Sequence, residues 1–502
     1  MNVAADTPDR TGDDAAGTGD AVRFVLDGKV VEAAGLPPTT TVLEFLREHL
    51  GRTGTKEGCA EGDCGACTVV LGERCAGSMR WRAVNSCIRF LPTIDGKELV
   101  TVESLAGDGD ALHPVQQALV DRHGSQCGFC TPGFVMSLFA LYLADDAPDR
   151  DAVLTALAGN LCRCTGYRPI IDAGCAMASY RPPRRWSRDD ARAPRHAEAL
   201  RAIAREHALA LPGFVAPRSV DDLAAVLERA PQTLLLAGGT DVGLWVTKHL
   251  RELPQIVYLG EVVELQRIDD DGERLRIGAA VSLTDAWDAI VAKIPALREL
   301  AERFASPPVR NSGTLCGNLA NGSPIGDAMP ALIALGATLE LRRGRTARTL
   351  PLDEFYLGYQ KKALQAGEFV VAVDVPLPEA GTLVASYKLS KRIDQDISAV
   401  CAAFALHCTD GVITHARIAY GGMAAIPARA RHAEAALLGK PWSGESTSAA
   451  MAALAADFTP ISDMRASAAY RLQGAASLLR RFWLEQSGCR APLRTSAVEP
   501  TA

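Results

Sequence analysis

The apolar positions of this chain change period several times, and each change marks a new element. From Val22 to Val31 large apolar residues alternate with polar ones around Asp27-Gly28, the pattern of two strands joined by a type I′ turn. Thr41 with Glu44 can close a capping box on a short helix carrying Val42, Phe45, Leu46 and Leu50. Strand-like runs return at 68–71 and 99–102. From Leu112 the period becomes helical: Pro114 suits a first turn, and Val115, Ala118 and Leu119 form one face of a helix that ends near His123-Gly124. Further helices are predicted from about Pro132 through Tyr142, at 151–158, and from Arg168-Pro169 to Ala178.

The texture then breaks. Residues 181–210 are rich in Pro, Arg and Asp and read as a linker, with a surface helix in the second half. The charge run marks a solvated crossing between domains, and Arg184, Arg185 and Arg188 are its candidates for contact with a partner. Beyond Pro217 a helix is predicted at 221–229 and strands at 233–237, 255–259 and 275–279, the last followed by a helix start at Ser282-Leu283-Thr284-Asp285. An alanine-rich helical end follows Leu437. The divisions expected are 1–20 (tail), 21–105, 106–180, 181–212 (linker), 213–380 and 381–502.

Composition narrows the class. A chain of 502 residues holds roughly three or four domains of ordinary size. With 53 basic against 59 acidic residues it shows no nucleic-acid footprint. Residues 1–20 carry five Asp against Arg10 and almost no large apolar group, which predicts a disordered tail. No apolar run reaches ~18 residues and no basic-then-apolar leader opens the chain, so a cytoplasmic location is expected.

The cysteines carry the chemistry. Ten of the 14 fall between 59 and 175, too uneven for a disulfide framework. Cys59, Cys64 and Cys67 form a C-x4-C-x2-C run threaded with Gly58, Gly62 and Gly65, and Cys87 stands apart as a fourth ligand. That is the plant-type spacing of a [2Fe–2S] cluster, with glycines letting backbone N–H groups approach the sulfides. Cys127 and Cys130, then Cys162 and Cys164, supply a second set at the ends of facing helices. The N-terminal dipoles of the helices from Pro132 and Pro169 would offset a cluster's negative charge. Structural zinc remains the alternative for either set.

Two glycine-rich loops suggest another ligand. Strand 233–237 runs into Gly238-Gly239-Thr240-Asp241-Val242-Gly243, a way of presenting backbone N–H groups to phosphate. The loop lacks the G-x-G-x-x-G spacing of a dinucleotide fold, and a structural turn would also explain it. Its companion is the Gly, Asn and Ser-rich stretch 313–327. Together they suit a diphosphate and a ribityl chain.

Across residues 21 to about 180, the first cysteine run, CGFCTPG at 127–133 and NLCRCTGYRPI at 160–170 resemble the iron–sulfur part of the molybdenum hydroxylases, most closely those of the xanthine dehydrogenase type. Residues from about 213 to 380 resemble that family's FAD-binding domain. The resemblance implies an α+β multidomain protein: a β-grasp ferredoxin-like domain, a helical-bundle [2Fe–2S] domain, a vanillyl-alcohol-oxidase-like FAD domain and a C-terminal α+β domain. It implies two [2Fe–2S] clusters, on Cys59, Cys64, Cys67 and Cys87 and on Cys127, Cys130, Cys162 and Cys164. For FAD it implies Leu235, Leu236, Ala237, Gly238, Gly239, Thr240, Asp241, Val242 and Gly243 at the pyrophosphate. Thr314, Gly317 and Asn318 belong to the ribityl loop, Ser323 and Asp327 to the pocket wall, and Phe304 lies beside the isoalloxazine. Lys391, Arg392 and Asp396 are candidate cofactor contacts, with an exposed salt-bridged turn as the alternative.

The expected activity follows from the same resemblance. No domain for a molybdenum–pterin centre is visible in the 502 residues, so a large molybdopterin-binding partner is expected, as an α2β2 heterotetramer. That partner would oxidise hypoxanthine and xanthine. Electrons would pass through the helical-domain cluster, then the ferredoxin-like one, then FAD, to NAD+. Aldehyde or carbon monoxide oxidation by the same module, and a zinc-stabilised adaptor, are the competing readings.

Overall fold

The computed structural model describes residues 21–75, 77–105 and 111–489, so the expected tail at 1–20 lies outside the described residues. Its first sheet runs in the order Lys29–Ala33, Val22–Leu26, Glu98–Val100, Thr68–Cys75, Ser78–Asn85. All neighbours are antiparallel except Val22–Leu26 with Glu98–Val100, the mixed arrangement of a β-grasp. Asp27 and Gly28 hold φ of 54° and 76°, the positive pair that a type I′ turn needs, and set Leu26 opposite Lys29. The capping box closes: the Glu44 N–H donates to Thr41 Oγ1 at 3.1 Å and the Thr41 N–H to Glu44 Oε2 at 3.4 Å. Helix Val42–Glu44 then widens into a π turn, Phe45–His49. Val42, Phe45 and Leu46 are buried, but Leu50 stands outside the core because the chain leaves the helix there.

Side-chain alternation along Thr68–Cys75 sets the architecture. Val70, with Ala83 and Val100, belongs to the core of the helical domain. Val69 and Leu71, with Val84, face the opposite way and share a core with Phe214, Leu236, Ile256 and Tyr258. A strand buried on both faces is the centre of a three-layer stack. On one side lie helices Pro114–Asp121, Thr131–Ala144, Arg150–Leu157 and Arg168–Ala176. On the other lies a four-stranded sheet in the order Leu209–Leu211, Phe214–Ala216, Ile256–Tyr258, Leu234–Leu236. Two helices anchor this region to the β-grasp: Asp285 on Leu283–Lys293 accepts from the Arg82 guanidinium at 2.5 and 2.9 Å, and Asn311 Nδ2 on Pro307–Ser312 donates to the Ala83 carbonyl at 2.9 Å.

Beyond the stack, a five-stranded antiparallel sheet contains Arg274–Gly278, Phe369–Pro376 and Thr338–Arg343. The C-terminal domain packs the sheet containing Val400–Thr409 and Val412–Gly421 against helices Gly444–Asp457 and Ala468–Gln486. Arg471 is 1% exposed there, and its guanidinium holds the Ala399 and Gly422 carbonyls and the Asp463 carboxylate.

Residues 181–205 are not the solvated crossing that their charge suggests. Trp186 is 2% exposed, stacks on His196 and meets Trp81 and Phe139 edge-on. His196 Nδ1 lies 2.8 Å from the buried Glu98 carboxylate. Arg188 caps the Tyr142 and Asp145 carbonyls at 2.7 and 2.8 Å and covers the Tyr142 ring, and Arg185 pairs with Asp27. Both arginines are engaged within the chain. The segment is a strap pinned between the helical and β-grasp domains.

Candidate functional site: two cysteine sets and a cavity in series

The loop before Thr68 curls so that its sulfurs meet the end of the next strand. Cys67 Sγ lies 3.3 Å from Cys87 Sγ, and the N–H groups of Glu61 and Cys64 point at Cys59 Sγ at 3.5 and 3.4 Å. Cys67 and Cys87 are 1% and 3% exposed. The Cys59 thiol is held well below its ordinary pKa, chiefly by hydrogen bonds from the Cys64 and Cys87 thiols, and Cys67 by that of Cys87. Cys64 is pushed up, chiefly by Cys59, and Cys87 by Cys59 and Cys67. Four sulfurs this close cannot all be thiolates unless positive charge sits among them. This donor set fits a cationic iron core.

The second set is built from helix ends. Cys130 precedes helix Thr131–Ala144, and Cys162 and Cys164 precede helix Arg168–Ala176; neither helix has a side-chain N-cap. At the first helix the Thr131 and Gly133 N–H groups donate no backbone hydrogen bond among the described residues and are left for an anion, whereas at the second the Arg168 and Ile170 N–H groups are taken by the Gly166 and Tyr167 carbonyls and only the positive dipole end remains. Cys130 is pushed up to about 12 by burial and then by Cys162. Burial would raise Cys162, but the Thr165 hydroxyl at 3.2 Å, local N–H groups and Cys130 outweigh it and hold that thiol low. Cys164 is raised chiefly by Cys127. The pairings Cys130 with Cys162 and Cys127 with Cys164 bring all four together, with Cys127 and Cys164 exposed. Among the described residues no group of three or more His, Cys, Asp or Glu is arranged for a single metal ion.

The two sets touch. The Leu161 N–H donates to the Cys64 carbonyl at 3.0 Å, and Asn160 Nδ2 to the Gly65 carbonyl at 3.1 Å. Gly133 must be glycine, since a Cβ there would lie 2.0 Å from the Gly65 oxygen. On its far side the first loop leans on helix Val242–Thr247: Thr247 Oγ1 donates to the Ala60 carbonyl at 2.7 Å and Lys248 Nζ to that of Cys59 at 3.0 Å. A Cβ on Gly243 would lie 2.6 Å from the Ile88 oxygen, next to Cys87.

That helix opens from the wall of a cavity of about 400 Å³. Leu235, Ala237, Gly238, Gly239, Thr240, Asp241, Val242, Phe304, Thr314, Gly317 and Asn318 line it, as do Trp245, Asn321, Lys362 and Leu364. The two loops meet because Gly238 passes the Ser312 backbone where a Cβ would sit 2.1 Å from its oxygen. Among the described residues the N–H groups of Gly238, Gly239, Thr240 and Asp241 donate no backbone hydrogen bond, and Asn318 Oδ1 is buried with no partner. Free donors at one turn, an orphaned acceptor and walls that are mostly but not wholly apolar fit a phosphate, a hydroxylated chain and a flat ring.

Other expected contacts lie elsewhere. Leu236 points into the core and Gly243 against Ile88. Ser323 sits in the turn after helix Leu315–Asn321, outside the cavity wall. Asp327 is buried, bound to Lys388 Nζ at 2.7 Å and the Ser398 hydroxyl at 2.5 Å. Asp396 accepts the N–H groups of Lys391 and Arg392 at 2.8 and 2.9 Å, a self-contained turn. Lys391 and Asp396 border a second hollow with Arg465 and Tyr470. Trp245, two residues past the glycine loop, and Lys362, next to Lys361, belong to no sequence motif, and only the fold brings them to the cavity.

Family comparison agrees with this layout. Residues 24–88 match the 2Fe-2S iron–sulfur cluster binding domain and 101–175 the [2Fe-2S] binding domain. Residues 208–378 match the FAD binding domain in molybdopterin dehydrogenase, and 385–486 the CO dehydrogenase flavoprotein C-terminal domain. The carbon monoxide dehydrogenase structure from Hydrogenophaga pseudoflava superposes with TM-score 0.50 and 33% identity, over 53% of this chain and 94% of that one. The chain belongs to the molybdopterin-dehydrogenase family. In that family it is an oxidoreductase component with two [2Fe–2S]-binding domains and an FAD-binding domain. It is 33% identical to xanthine dehydrogenase of Emericella nidulans over 88% of this chain, and 31% identical to aldehyde oxidase 2 of Cavia porcellus over 93%. The matches span only 36% and 40% of those relatives' lengths. No described helix is long and apolar enough to cross a membrane.

Proposed function

We propose that this chain is the electron-transfer component of a molybdenum hydroxylase, carrying electrons from a molybdopterin-bearing partner to NAD+. The groups it would hold are one-electron iron–sulfur carriers and a flavin able to exchange electrons singly or in pairs. Cys127, Cys130, Cys162 and Cys164 would hold the outer cluster; Cys59, Cys64, Cys67 and Cys87 the inner one. Gly238–Asp241, Thr314 and Asn318 would grip FAD, with Phe304 at its ring. One observation carries the reading: outer cysteine loop, inner cysteine loop and cavity wall touch in that order, through Leu161 N–H to the Cys64 carbonyl and through Ile88 against Gly243. The exposed outer set would face the donor, and the protein would shield the inner one.

Xanthine is the substrate proposed, with the partner setting that choice, since relatives named for xanthine, aldehydes and carbon monoxide all align with this chain. The test is to isolate the complex anaerobically. About four irons and one FAD per chain, with xanthine-dependent NAD+ reduction, are expected; aldehyde- or CO-dependent reduction would reassign the substrate, and zinc in place of iron would end the reading.

A further inference from the structure

Lys362 lies in strand Lys361–Lys362, well over 100 residues after the glycine turn, yet it lines the same cavity as Gly238, Gly239 and Asp241. The ammonium makes no ion pair or hydrogen bond among the described residues, although the Asp241 carboxylate is near enough to favour its charged form against the effect of burial. A cation that gives up part of its hydration without a counter-ion is costly unless a ligand supplies one. In the same cavity, the N–H groups of Gly238, Gly239, Thr240 and Asp241 are donors without backbone acceptors. Donors and one ammonium lining one largely apolar cavity, with the Asp241 carboxylate within electrostatic reach of that ammonium, describe an anion site, and Lys acts on phosphate as a point charge.

We propose that Lys362 is a positioning residue that neutralises the diphosphate of the bound dinucleotide and so makes the cavity prefer FAD to flavins without that group. This rests on the FAD reading above. Asp241, an acceptor, is then left for a ribose or ribityl hydroxyl, as the orphaned Asn318 Oδ1 is. A charge assigned to the diphosphate acts on occupancy, so loss of Lys362 is expected to shift occupancy and to leave the environment of the flavin ring unchanged.

The experiment strips flavin from the full chain and titrates native protein, K362M and K362R with FAD, ADP and riboflavin, following flavin fluorescence and, for ADP, competition. K362M is expected to weaken FAD and ADP by similar factors, about 10- to 100-fold for one charge-assisted contact, while riboflavin affinity holds. K362R is expected to restore most of the loss. Iron content of K362M serves as the check on folding. Unchanged ADP affinity in K362M, or a loss confined to riboflavin, overturns the assignment while leaving the FAD reading intact. Failure of the native chain to bind FAD at all sinks both.

Discussion

The two cysteine sets carry the same four ligands but are built in different ways. The outer set is two short pairs just ahead of two helices, with Cys127 and Cys164 exposed. The inner set is a tertiary product. Its loop is pressed between the outer loop on one side and helix Val242–Thr247 on the other, and Cys67 and Cys87 are almost fully covered. Damage to the outer set should therefore stay in its own domain, whereas damage at the seam should reach both sets and the cavity.

The seam is where the contrast can be broken most severely. Gly133 lies in the helical domain, but a Cβ there would meet backbone atoms of Gly65 and Ala66 at 2.0 to 3.2 Å, which no rotamer change relieves. We expect Gly133→Val to empty both sets of iron and to cost about 3 kcal/mol or more. Cys127→Ser should remove about half the iron with FAD retained. Iron and acid-labile sulfide per chain, with flavin absorbance, decide it; a Gly133→Val protein that keeps its inner iron would show the sets to be independent.

What could be read from the sequence follows the same division. Thiol spacing, the Asp27-Gly28 turn, the Thr41 and Glu44 box and the helix starts are local, and they stand where expected. The strap does not read locally: Trp186 is one apolar residue among arginines and aspartates, and only the partners Trp81, Phe139 and His196, brought from far along the chain, make it core. Alternation along Thr68–Cys75 indicates a strand, but the two different domains that bury its faces are visible only when folded. The turn at Lys391, Arg392 and Asp396 has charges that suit a ligand and are spent on one another and on backbone. The cavity's glycine turn was legible because glycine at a close approach is a backbone signal; Lys362 was not, because adjacent lysines in a short strand look like surface.

A milder probe separates the domains by pH. His113 in the helical domain is 1% exposed, and burial, then the nearby Arg188, pull it down to about 4 against a pull upward from the Trp186 carbonyl. Its Nδ1 accepts the Val115 N–H at 3.3 Å and its Nε2 meets the Trp186 oxygen at 3.2 Å, so a second ring proton has no acceptor. With the folded pKa below the usual 6.5, the unfolded chain takes up a proton first. The contribution of the neutral ring is full above pH 6.5 and falls as pH drops toward 4, by roughly 3 kcal/mol at most. Denaturant melts at pH 7.5, 6 and 4.5 should show the helical domain weakening first, with outer iron lost before inner. His113→Gln should lower stability at pH 7.5 and flatten that slope; an equal slope in the variant refutes the cause.

The smallest effect compares the sulfurs themselves. Asn85 Nδ2 lies 3.9 Å from Cys67 Sγ in the inner set, and the Thr165 hydroxyl 3.2 Å from Cys162 Sγ in the outer. A hydrogen bond to a ligand sulfur stabilises the reduced, more negative cluster, so removing one lowers the midpoint potential. The closer hydroxyl contact should matter more: Thr165→Val is expected to lower the outer midpoint by a few tens of mV, on the order of half a tenfold change for a one-electron couple. Asn85→Ala should move the inner midpoint by less, because its contact is long and the N–H groups of Glu61 and Cys64 keep their hold on Cys59. A redox titration followed by electron paramagnetic resonance resolves the two signals. Each substitution must shift one midpoint and leave the other in place; a shift of both from either change would mean that the 3.0 Å link between Leu161 and Cys64 couples the sets electrostatically as well as mechanically.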